Sequence, residues 1–170
     1  MSQIFKEAQN LKKLRHKNII ELYHAFIEGK QLIMIMELAA GGEVLGYVMK
    51  KERLSEPNAR KILLQVVNSM IYCHTRGVVH RDLKLENVLF RDPISEDDQD
   101  LYVKVIDFGI AGVCQPGKQD KQDAGSVCYM APESLMGKAI ESSPSMDVWA
   151  IGIMLYSMLF GNLPFFHDDE

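Results

Sequence analysis

The sequence has 170 residues, 47% of them apolar and 25% charged, and a formal net charge of −4. This is one domain's worth of an ordinary globular chain, long enough to bury a core. The acidic balance excludes a basic field for nucleic acid, and the longest apolar run, Trp149 to Phe160, is too short to cross a membrane. Cys73, Cys114 and Cys128 are odd in number and lack CxxC spacing, so they read as reduced thiols of a soluble, cytoplasmic protein. Met1-Ser2-Gln3 leads to charged Lys6 and Glu7 rather than to the apolar stretch of a signal peptide.

In chain order, Phe5, Ala8, Leu11 and Leu14 recur at three-residue spacing, which predicts a largely polar helix starting near Gln3. Ile19 to Ile27 and Gln31 to Glu37 read as strands joined by Glu28-Gly29-Lys30, a hairpin turn. The second, Leu32 to Met36, is apolar throughout, as in a strand buried on both faces. Gly41-Gly42 interrupts the chain before a short helix from Glu43 to Lys51. Ser55 is placed to cap a long helix, with Pro57 in its first turn. Ala59, Ile62, Leu63, Val66, Val67, Met70 and Cys73 form its apolar face, and Gly77 ends it. Val78-Val79, Val88-Leu89-Phe90 and Val103 to Ile106 read as short strands. Between the last two, positions 92–100 carry five carboxylates, which read as a solvated, mobile loop rather than a cation or partner site. Ser145 is placed to cap a final helix, Asp147 to Phe160, closed by Gly161 and Pro164. Its near-uniform apolarity points to the centre of a core.

Eight consecutive residues, His80-Arg81-Asp82-Leu83-Lys84-Leu85-Glu86-Asn87, fit the pattern H-R-D-L-x-x-x-N. Asp107-Phe108-Gly109 and then Ala131-Pro132-Glu133 follow. Each tripeptide alone is common, but the three motifs in this order are not explained by a solvated loop beside an unrelated turn. The residue types suit phosphoryl transfer, whose loose, charge-spread transition state calls for positioning and electrostatic stabilisation. Asp82 can accept or orient the proton of an acceptor hydroxyl, and Lys84 can reach the transferring phosphate as a flexible point charge. Asn87 offers an amide oxygen and Asp107 a carboxylate, the hard ligands that magnesium takes sparingly from protein. Gly109 permits a sharp turn after them.

On these motifs the sequence resembles the eukaryotic-type protein kinases, from near Glu7 to about Phe166. Lys84 and Gly125-Ser126 resemble the serine/threonine branch. Gly41-Gly42-Glu43, Tyr72-Cys73-His74 and Asp147-Val148-Trp149-Ala150-Ile151-Gly152 resemble the calcium/calmodulin-dependent and AMP-activated kinase group. The resemblance implies an α+β, protein-kinase-like fold. Residues 1–38 would be a partial N-lobe and hinge, and 39–170 an incomplete, mostly helical C-lobe. It implies ATP and Mg2+ as cofactors, and protein substrates modified on Ser or Thr with basic flanks.

It also implies roles by position. Met36 would control access to the back of an adenine pocket, Glu37 and Ala39 would offer backbone hydrogen bonds to the base, and Val44 and Leu89 would pack beneath it. Ser126 would contact the acceptor beside Asp82. Glu43 and Glu86 match acidic positions that favour basic residues upstream of the acceptor, although a solvated carboxylate pair explains them equally well. Leu11, Leu22, His80 and Phe108 would form an apolar stack behind the catalytic loop, and Asp147 would be structural. No Ser, Thr or Tyr stands between Gly109 and Gly125, and Gln122 occupies the position often phosphorylated in the family. Asp120 or Asp123 could instead pair with Arg81.

Two family features are missing from the sequence: a glycine-rich loop over the phosphates and a strand lysine. Glu7 matches the helix glutamate that pairs with that lysine, and Glu133 matches one that pairs with an arginine in later helices. The expectation is the centre of a serine/threonine kinase domain truncated at both ends and inactive by itself. The alternative is a catalytically inactive remnant serving as a binding or regulatory module.

Overall fold

The computed structural model describes residues 12, 14–29, 31–94, 100–108, 127–136 and 143–165. The helix expected from Gln3 lies outside them. Strands β1 (Leu22–Glu28) and β2 (Gln31–Met36) pair antiparallel, from Glu28 opposite Gln31 to Leu22 opposite Met36. Gly29, at φ 61°, takes the left-handed turn position that glycine occupies without a Cβ penalty. β2 is not buried on both faces: Ile35 and Met36 are 48% and 41% exposed. Its one paired neighbour among the described residues is β1, so apolar composition alone does not cover it.

Helix α1 (Val44–Lys51) is followed by α2 (Glu56–His74). Ser55 occupies the N-cap position of α2 but makes no side-chain cap bond there. At the other end Gly77, at φ 71°, reverses the chain while Gly77 and Val78 N–H groups return to the His74 and Cys73 carbonyls, both at 3.0 Å. Val78-Val79 forms a connector, not a strand. A 3-10 turn, Leu85–Asn87, leads into β3 (Val88–Phe90), which pairs antiparallel with β4 (Val103–Val105). A single-turn helix α3 (Pro132–Leu135) precedes α4 (Pro144–Phe160).

The cap of α4 is Ser143, not Ser145; its Oγ accepts the Ser145 N–H at 3.3 Å. Pro144 starts the helix, because its fixed φ and missing N–H suit a first turn. Only one face of α4 is buried, around Ala150, Ile153, Met154 and Met158, while Val148 is 61% exposed. This face packs with Ile62, Val66 and Met70 of α2 and with Leu85, Val88, Phe90 and Val105 in one core. Each such side chain, fully buried, contributes about 1.5–3 kcal/mol. The chain entering β1 joins this core through Ile20 N–H to Val105 O at 2.9 Å and Val105 N–H to Asn18 O at 2.8 Å. Asn18, fully buried, also donates to Gln65 of α2 and to the Val103 carbonyl.

Candidate active site

The loop from His80 to Asn87 owes its shape to groups far away in sequence. Asp147, in the first turn of α4 and 1% exposed, accepts the His80 N–H on Oδ2 and the Arg81 N–H on Oδ1, each at 2.9 Å. His74 Nε2 lies 2.7 Å from Oδ2. These bonds hold Arg81 at φ 72°, a conformation that costs a non-glycine residue about 1–3 kcal/mol. Asp147 is thus structural in a specific sense: it shapes the loop through its backbone. It also adds to burial in raising the pKa of the neighbouring Cys73 thiol to about 12, which keeps that thiol inert.

His80 links the loop to the strand that leads to Asp107. Its Nδ1 accepts the Asp82 N–H at 3.3 Å, so Nε2 carries the proton and donates to Ile106 O at 2.8 Å. The ring is fully buried and tilted against Phe108, with centroids 4.7 Å apart. Burial lowers its pKa, against the opposing pull of Asp147 and the Ile106 carbonyl. Leu22, also read as part of this stack, is buried, whereas Leu11 lies outside the described residues.

Asp82, Lys84 and Asn87 meet at the mouth of the β3–β4 hairpin. Asn87 Nδ2 donates to the Asp82 carbonyl at 2.7 Å and to its Oδ2 at 3.0 Å, and Lys84 Nζ lies 3.4 Å from the same oxygen. With its nitrogen so engaged, the Asn87 amide directs its oxygen away from Asp82. Ile106 N–H donates to Asn87 O at 2.9 Å, which brings Asp107 alongside. Asp107 is exposed and sits at φ 58°. One amide oxygen and one carboxylate fit magnesium that completes its shell with phosphates and water. No group of three His, Cys, Asp or Glu side chains able to hold a metal occurs among the described residues.

In the segment after β2, Glu37 N–H is engaged, donating to Glu21 O at 2.9 Å. Ala40 and Gly41 N–H are taken by Arg91 O and Phe90 O, just after half-buried Ala39. Gly41 must be glycine, since a Cβ would lie 2.1 Å from Asp92 O. Leu89 is half-buried and its backbone bridges to Glu43, while Val44 is fully buried and offers no surface to a ligand. Met36, at the end of β2, is 41% exposed.

Glu43 is exposed at the head of α1, and its backbone bridges to Leu89. Glu86 is half-buried and hydrogen-bonds the Tyr129 hydroxyl, whose pKa is pushed up by burial and then by the Glu86 charge. Glu86 Oε2 is buried without a hydrogen-bond partner among the described residues. Arg81 is exposed and Glu133 half-buried at the start of α3. Glu7, Gly109, Ser126 and the acidic residues 95–99 lie outside the described residues. Sequence reasoning passed over Lys104, Tyr129 and His74 as partners in this site. For Lys104 the signal was present: a charge in the middle of apolar Val103-Lys104-Val105.

Among solved structures the chain is similar to Rad53 1-466, crystallised in complex with AMP-PNP, with a TM-score of 0.80 and 29% sequence identity. The match covers 100% of this chain and 41% of that one, so the sequence spans less than half the length of this relative. The family model described as the protein kinase domain matches residues 1–170. A carboxylate backed by an asparagine and a lysine, on a loop latched from α4 and tied through His80 to Asp107, is what those motifs build in three dimensions, and the chain belongs to the protein kinase domain family.

Proposed function

We propose that the chain is the catalytic part of a serine/threonine protein kinase that transfers the γ-phosphoryl group of ATP to protein hydroxyls. The observation that supports this most is the convergence of Asn87 and Lys84 on Asp82 beside Asp107. Asp82 orients the acceptor hydroxyl and takes its proton, Lys84 stands within reach of the transferring phosphate, and Asn87 and Asp107 hold the metal. A magnesium ion held by Asn87 and Asp107 would supply positive charge against that of the phosphates. The Glu37 carbonyl and Ala39 N–H hold adenine above Leu89, with Met36 at the back of the pocket. Ser126 contacts the acceptor. Glu86, with a buried oxygen that has no hydrogen-bond partner among the described residues, and Glu43 at the head of α1 take basic residues upstream of it. Kinship with the calcium/calmodulin-dependent and AMP-activated group, and a reducing intracellular setting, belong to the same proposal.

The test is labelled ATP, magnesium and a library of Ser, Thr and Tyr peptides with basic or acidic flanks, using the intact protein that contains this sequence. Transfer to basic Ser/Thr peptides is expected, and it should vanish in Asp82→Ala and Asp107→Ala. A preference for tyrosine or acidic flanks would refute the specificity, and substantial turnover in Asp107→Ala would refute the metal assignment. The 170 residues carry neither a glycine-rich loop nor the family's strand lysine, and by themselves should turn over near background. Correct placement of two reactants is worth about 7–11 kcal/mol of a barrier.

A further inference from the structure

The side chain of Glu37 has a partner that its backbone role does not call for. Lys104 Nζ lies 2.8 Å from both of its oxygens, and Glu21 N–H donates to Oε2 at 3.2 Å. Lys104 is 8% exposed, in a strand whose flanking residues, Val103 and Val105, are fully buried. A buried ammonium is costly unless it is paired, so this lysine depends on the hinge carboxylate. In the β3–β4 register Lys104 stands opposite Leu89, the residue beneath the proposed adenine site. Its strand ends at Val105, two residues before Asp107. The pair thus joins the segment proposed to meet the base to the strand that leads to Asp107.

We propose that Lys104 is a positioning residue for the base. By clamping the Glu37 carboxylate it fixes the backbone of residues 37–39 relative to Leu89, without itself touching the nucleotide. The inference rests on the ATP-binding reading above.

The test measures equilibrium binding of magnesium-ATP, adenosine and tripolyphosphate to the intact protein, together with Tm. In Lys104→Met, affinity for ATP and adenosine should each fall about tenfold, the worth of one well-placed hydrogen bond. Tripolyphosphate affinity should stay within about twofold, since the contacts at the phosphate end are untouched. Lys104→Arg, which keeps the charge, should recover most of the loss. If Lys104→Met fails to fold, the double variant Lys104→Met with Glu37→Leu leaves no charge buried alone and carries the same expectation. A variant with a lowered Tm that binds adenosine like the unaltered protein overturns the positioning role. Equal losses for tripolyphosphate and adenosine overturn it too. If the unaltered protein binds no ATP, the kinase reading itself fails and this inference goes with it.

Discussion

With Nδ1 accepting the Asp82 amide proton and Nε2 donating to Ile106, the His80 ring carries one proton and its geometry has no use for a second. In the unfolded chain the same imidazole titrates near its ordinary value of 6.5, whereas burial lowers the folded value. Below about pH 6.5 the unfolded state therefore binds more protons than the folded one. Stability falls as the pH drops through that window and is insensitive to this group above it. His16 acts in the same direction, its pKa lowered by burial and then by Lys17, Lys104 and Arg76. Urea unfolding should show a lower midpoint at pH 5.5 than at pH 7.5. His80→Phe keeps a ring against Phe108 but cannot be protonated, so the variant should be less stable overall yet show a smaller difference between the two pH values. An undiminished difference would place the sensitivity elsewhere.

Two glycines that end helices in the same backbone conformation make a test at the scale of elements. Gly77 and Gly161 both have positive φ, 71° and 77°. A Cβ on Gly77 would meet nothing within 4 Å, whereas one on Gly161 would lie 1.9 Å from the Glu52 carbonyl oxygen. Gly77→Ala should cost about 1 kcal/mol, the conformational penalty alone. Gly161→Ala should cost more than about 3 kcal/mol, because the turn between α1 and α2 must also move. Chemical denaturation of both variants checks the ratio, and equal costs would mean that the contact relaxes freely. Element types were legible in the sequence wherever the cause is local: the hairpin at Gly29, the apolar face of α2, the glycines at helix ends. The α4 cap was misplaced by two residues because two serines flank Pro144 and only the backbone path decides between them. β2 was over-buried in the reading because apolar composition does not say how many neighbours a strand has. The catalytic motif was legible, but not what shapes it. The bonds of His80 to Ile106 and to Asp147, and of Lys104 to Glu37, join residues 26, 67 and 67 apart, and no local pattern encodes such pairings.

For the molecule as a whole, the core between α2, α4 and the β3–β4 hairpin is the fixed body to which the hinge segment and the catalytic loop are tied. The hairpin closes before its acidic connection begins. Arg91 N–H donates to Tyr102 O at 2.9 Å, its guanidinium lies 4.3 Å from the Tyr102 ring, and Leu101 is buried, with Ile94 packed against the core. The positions of Asn87 and Asp107 are therefore set on the core side of that clasp, and lengthening a loop beyond it costs only about 0.6 kcal/mol per doubling. The stretch from Ser95 to Gln99 becomes an entry port for protein engineering. A small fluorescent domain spliced there should leave ATP affinity and peptide turnover of the intact protein within about twofold, while the same splice placed between Arg81 and Lys84 should abolish both. Loss of activity from the first graft would show that the clasp does not insulate the site. If the activity survives, the protein can carry an optical reporter beside the β3–β4 hairpin and signal its folding without any change to Asp82, Lys84, Asn87 or Asp107.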